Sequence, residues 1–119
     1  DMLGINNLFI WKAPKIGLGF PWHQDKFYFG KRFSIPTTVG TWTAIDAADE
    51  ENSCLYVILG SHRRAIVGHD EIEGLQRSKF RLARNFDDGK GISVPIPLGG
   101  VIYCTRARTI TAAVLDAAT

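Results

Sequence analysis

Short apolar runs separated by turn residues set the rhythm of this chain. The segments Asn7–Trp11, Gly40–Ala44, Leu55–Ile58, Ile92–Pro95 and Gly100–Cys104 are brief and rich in Val, Ile, Trp, Tyr or Phe. Between them fall Pro14 to Gly19, Asp49 to Asn52, Gly60-Ser61, Asp87 to Gly91 and Leu98 to Gly100, where Gly, Pro, Asn and Asp favour turn conformations. This alternation predicts strands joined by tight connections. One stretch, His69 to Arg81, carries Ile72, Leu75 and Lys79 at helical spacing and predicts a short helix or lid. Many short strands with little helix define an all-β chain of the sandwich, barrel or jelly-roll class. The pattern carries the class and not the topology.

Bulk properties narrow the picture further. At 119 residues the chain fits one domain, 1–119, with no repeat, low-complexity tract or linker. It is 45% hydrophobic and 22% charged with net charge +2, a balance that argues for neither nucleic acid nor a membrane surface as partner. No apolar run approaches the roughly 20 residues of a membrane span. Cys54 and Cys104 stand far apart; free thiols in a reducing, cytoplasmic setting are expected, with a disulfide as the alternative. The chain opens on Asp1 close to an apolar segment and closes on small residues, Ala112 to Thr119, and reads as a piece of a longer protein.

The chemistry-bearing motif is His23-Gln24-Asp25. On an extended strand residues i and i+2 share a face, so His23 and Asp25 would point together while Gln24 points away. A neutral imidazole and a carboxylate converging in this way are two of the three ligands of the 2-His-1-carboxylate triad that holds non-haem Fe(II). Phe20, Trp22, Phe27 and Phe29 add aromatic bulk that would shield such a site from water. The plain alternative is a surface His and Asp beside a turn.

The surroundings of that motif resemble the phytanoyl-CoA dioxygenase family over nearly the whole chain. The resemblance rests on Trp11-Lys12-Ala13-Pro14 with Pro21-Trp22-His23-Gln24-Asp25, on Gly40-Thr41-Trp42-Thr43-Ala44-Ile45-Asp46, and on Glu51 to His62. Ser53 stands where the family usually has Gly, and Leu59 where it usually has Pro. The resemblance implies a double-stranded β-helix (a cupin-like jelly roll), with His23 and Asp25 as metal ligands. It puts Lys12 and Trp42 where family members line the 2-oxoglutarate pocket; a surface charge for Lys12 and strand core for Trp42 stay open. His62 in the Gly-Ser-His turn is expected to be structural or to border the site mouth, and His69 to be solvated or to start a helix, rather than either being a ligand.

The resemblance also implies a distal His in an H-G-S-x-x-N segment, and an Arg about ten residues later that grips the cosubstrate carboxylate. The landmark before it, Ser93 to Tyr103, is intact, but Cys104 to Leu115 contains no His. Permitted codons for Thr109 to Leu115, read in the other frame, spell His-His-Gly-Ser-Gly-Pro. A frameshift near Tyr103 to Thr109 therefore explains the gap, and an inactive natural homologue is the competing account. Arg106 and Arg108 come too early to be the clamp. The resemblance thus implies an Fe(II)- and 2-oxoglutarate-dependent hydroxylase of a small organic or acyl substrate, incomplete at its C-terminal side. The expectation for this chain is weak iron binding and little turnover. A non-catalytic jelly-roll binding protein is the rival from another class; a cupin of another family is weaker, because its His spacings are absent.

Overall fold

The computed structural model of the chain describes residues 4, 6–13, 19–29, 38–72, 81–105 and 111–113. In chain order the elements are β1 (Phe20–His23), α1 (Asp25–Phe29), β2 (Val39–Thr43), β3 (Leu55–Ile58), β4 (His69–Glu71), β5 (Arg81–Ala83), β6 (Gly91–Val94), β7 (Val101–Thr105) and β8 (Thr111–Ala113). Short 3-10 turns cover Ser61–Arg63 and Asp88–Lys90. Among the described residues all pairings between strands are antiparallel. A four-stranded sheet has the order β1-β8-β3-β6, while β2 pairs with β7 and β4 with β5. The mostly β character agrees with the expected class.

The β2–β7 ladder shows why the period-2 reading works. Gly40 and Trp42 alternate with exposed Val39, Thr41 and Thr43, and their partners Cys104 and Ile102 alternate with exposed Val101 and Tyr103. One face is thus turned inward and the other outward. Leu55–Ile58 is a strand over the expected residues, with buried Val57 paired to Ile92. The remaining buried apolar side chains, Ala44, Cys54, Ala83 and Ile96, sit at strand ends and connections.

Two expectations fail on the described residues. Asn7–Trp11 has no regular structure, and Leu8, Phe9, Ile10 and Trp11 are exposed; among the described residues no strand pairs with the segment. An apolar run becomes a strand only when an edge receives it. His69 does not begin a helix either. His69–Glu71 and Arg81–Ala83 are the two strands of a hairpin, in which His69 pairs with Ala83 and Glu71 with Arg81. Cross-strand pairing overrides the weak helical spacing; the middle of that stretch, 73–80, lies outside the described residues.

The turn before β3 is built from its own side chains. Asp49 Oδ1 accepts from the backbone N–H groups of Glu51 and Asn52 at 2.9 and 3.1 Å, and Asn52 Oδ1 accepts from Asp49 N at 2.8 Å. Asn52 Nδ2 donates to Ala47 O at 2.8 Å. This leaves Ser53 at φ 75°, the left-handed region. The usual family Gly at that position has a direct physical reason.

Candidate metal centre

The His23–Asp25 pair forms at the junction of β1 and α1. The strand stops at His23 and Asp25 opens the helix, so extended-strand alternation is not what brings them together. The change of conformation at Gln24 does, with Phe27 N donating to Gln24 O at 2.9 Å. His23 Nε2 lies 3.3 Å from Asp25 Oδ1. His23 Nδ1 lies 2.7 Å from Pro21 O, and a carbonyl can only accept, so Nδ1 carries the hydrogen. Nε2 then faces the carboxylate, as in imidazoles whose other nitrogen is fixed by a backbone acceptor. Burial disfavours the imidazolium; hydrogen bonding to Asp25 and Pro21, with the Asp25 charge, outweighs it and holds the His23 pKa above its usual 6.5.

The second wall comes from β2 and β7. A Cβ at Gly40 would lie 3.3 Å from Asp25 Oδ2 and 3.6 Å from Cys104 Cβ, so the carboxylate approaches the β2 backbone where a side chain would crowd it. The Cys104 thiol is pushed up by burial and then by the Asp25 charge. Both cysteines are free; Cys54 is buried and Cys104 half-buried. Cys104 also lines an apolar cavity of about 430 Å³ with Val57, Ile92, Val94, Ile102 and His62. Cys104 is thus the residue shared between this open, apolar-lined hollow and the surroundings of Asp25.

The other candidates fall into place one by one. Trp42 is half-buried on the inward face of β2, opposite Ile102 and on the same side as Gly40. Lys12 donates from Nζ to Ser53 Oγ and lies 5.7 Å from the Phe20 ring centroid. Burial lowers its pKa while Cys54 pulls the other way. It is not a solvated surface charge, but it stands at the far end of β1 from His23, about 10 Å along the strand. Trp22 packs edge-on against Phe86 at 5.7 Å and fits over Gly91, away from the pair. The ring against His23 is Tyr28, at 5.8 Å, which the sequence reading did not single out.

His69, expected to be solvated, is held on both nitrogens. Its Nδ1 lies 2.9 Å from Val67 O and its Nε2 accepts from Gln24 N at 3.0 Å. Both ring nitrogens are thus engaged within the protein. Among the described residues no group of three or more His, Cys, Asp or Glu could hold a metal. Thr111 is the direct cross-strand partner of His23 and, on its other side, of Val57. The donor chemistry of His23 and Asp25 fits Fe(II) at two positions of a 2-His-1-carboxylate triad; opposite His23 the neighbouring strand carries the hydroxyl of Thr111 rather than a second imidazole.

A mostly β chain that brings an imidazole and a carboxylate together at a strand end is compatible with a cupin-like oxygenase fold. The model of the phytanoyl-CoA dioxygenase (PhyH) family matches residues 2–101, and the chain belongs to that family, whose members are Fe(II)- and 2-oxoglutarate-dependent dioxygenases. It is 32% identical over 105 residues to a phytanoyl-CoA dioxygenase domain-containing protein 1 homolog of Caenorhabditis elegans, covering 82% of this chain and 36% of that protein. It is 34% identical over 92 residues to the peroxisomal phytanoyl-CoA dioxygenase of Bos taurus, covering 73% and 27%. The chain thus spans about a third of the length of the curated relatives it matches. Crystal structures of EvdO2 from Micromonospora carbonacea var. aurantiaca align with TM-score 0.77 and 28% identity, over 88% of this chain and 42% of that one. Its complex with 2-oxoglutarate aligns at TM-score 0.70, over 85% and 40%.

Proposed function

We propose that the chain carries the iron-binding strand and part of the cosubstrate pocket of an Fe(II)- and 2-oxoglutarate-dependent dioxygenase that hydroxylates a C–H bond of a small organic or acyl substrate. The observation that carries this reading is the 3.3 Å approach of His23 Nε2 to Asp25 Oδ1, with Nδ1 fixed on Pro21 O. When bound, the metal and 2-oxoglutarate would supply the oxidising chemistry by activating O2, one oxygen atom ending in succinate with loss of CO2 and the other in the hydroxylated substrate. The protein's part is to orient and to exclude water. His23 and Asp25 would hold the ion, and Trp42 would wall the cosubstrate pocket. Lys12, whose ammonium carries three donors with one on Ser53 Oγ, would give its charge to a carboxylate. A jelly-roll barrel and a reducing, cytoplasmic setting belong to the same reading, and no described helix is long and apolar enough to cross a membrane.

Thr111 beside His23 supports the idea that residues from about 105 onward are out of frame or degenerate. Codons for Thr109 to Leu115 incompatible with His-His-Gly-Ser-Gly-Pro in the other frame would exclude the first alternative. The test of the function is metal binding. Purified chain should bind Fe(II) weakly, His23→Ala and Asp25→Ala should abolish that binding, and 2-oxoglutarate decarboxylation should stay near background. Binding that survives both substitutions overturns the assignment. The lack of a third donor among the described residues favours a second reading, a non-catalytic jelly roll that holds an apolar ligand in the cavity. Such a protein should keep its ligand after both substitutions.

A further inference from the structure

We propose that His69 is a positioning residue for the metal-binding pair, acting through Gln24 as a latch between the β4–β5 hairpin and the β1–α1 junction. The inference rests on His23 and Asp25 being ligands, and it concerns what holds them. Gln24, between the two, is fully buried at 0% exposure, and its Oε1 accepts from Val67 N at 2.8 Å. Its backbone N–H donates to His69 Nε2 at 3.0 Å, and His69 Nδ1–H donates to Val67 O at 2.9 Å. The Val67–His69 segment and Gln24 therefore grip each other at two points, one through a side chain from each partner.

The grip acts on the residue where strand becomes helix. Rotation about Gln24 decides whether the imidazole before it and the carboxylate after it converge. A side-chain bond alone would leave the peptide free to roll; a bond to the Gln24 N–H fixes the plane that joins it to His23. The hairpin also holds the first turn of α1. The His69 ring stacks on Phe27 with centroids 4.0 Å apart and planes 13° apart. Tyr28 Oη accepts from Arg81 N at 2.9 Å. Arg84 N donates to Gly68 O at 3.0 Å, closing the hairpin behind the latch. A plain packing residue at 69 would need the stack but not the acceptor at Nε2.

That difference supplies the test. His69→Phe keeps an aromatic face for Phe27 and removes the acceptor; His69→Gln keeps an acceptor at similar reach. In the 119-residue chain, Mn(II) affinity is measured by electron paramagnetic resonance titration, and the His23 imidazole by nitrogen NMR without metal. We expect His69→Phe to weaken Mn(II) binding about tenfold, the lower end of the range for groups that orient ligands. It should also shift the His23 resonances while β4–β5 cross-strand contacts persist. His69→Gln should stay within about threefold of the parent on the same scale, and Gln24→Leu, which keeps the backbone bond to His69 and loses only the one from Val67 N, should shift the His23 resonances less than His69→Phe. Unchanged His23 resonances in His69→Phe, or equal losses in the Phe and Gln variants, would overturn the latch. Mn(II) binding that ignores His23→Ala and Asp25→Ala overturns the ligand assignment instead, and the metal-free resonances still decide the latch.

Discussion

At the scale of single residues, His23 and His69 illustrate opposite electrostatic fates on either side of Gln24. The folded pKa of His23 is raised, so the folded chain holds that proton more tightly. Its contribution to stability is fully present below the ordinary value near 6.5 and is lost as pH rises through the raised one. His69 runs the other way: burial first, then the nearby His23, lower its pKa against the pull of Val67 O and Asp70. Its contribution is present above about 6.5 and is lost as pH falls through the lowered value. NMR titration should therefore find His23 titrating above His69, and metal affinity should climb with pH as the His23 proton is displaced. Ser53 offers a second residue-scale test. Ser53→Ala and Ser53→Gly both lose the bond from Lys12, but only Gly relieves the left-handed backbone. The Gly variant should be more stable than the Ala variant by about 1 kcal/mol in urea denaturation.

Elements, rather than residues, decide where sequence reading succeeded. The Gly40–Ala44, Leu55–Ile58, Ile92–Pro95 and Gly100–Cys104 strands were legible within a residue or so, because each alternates or sits between strong turn signals. His23 and Asp25 are legible as a pair, although a strand-to-helix switch, not strand alternation, joins them. The hairpin at His69 was invisible because its strands are three residues each and are specified by one another. With it went the latch, whose one local signal was a second His seven positions after His62. Two predictions belong at this scale. Thr111→His should raise metal affinity by about tenfold or more, roughly 1.4 kcal/mol, since Thr111 shares a sheet face with His23. Gly40→Val should weaken binding by pushing on Asp25, and equilibrium dialysis with Fe(II) under anaerobic conditions measures both.

For the whole molecule, the outward face of the β2–β7 ladder is the conspicuous liability. Val39, Val101 and Tyr103 are 53%, 41% and 68% exposed on it, alongside Thr41 and Thr43. A flat apolar ribbon of this kind invites association between copies. Val39→Lys with Tyr103→Lys should lower light scattering at high concentration while leaving the thermal midpoint within a few degrees.

The sheet order β1-β8-β3-β6 has a consequence for biogenesis. The strand translated last of all those described is inserted between two that left the ribosome dozens of residues earlier. Until residue 111 emerges, β1 and β3 expose facing backbone edges with nothing to join them, and His23 has no neighbour on that side. The interval of synthesis between β3 and β8 is thus a window in which the nascent chain offers two open edges to chaperones, or to another nascent copy.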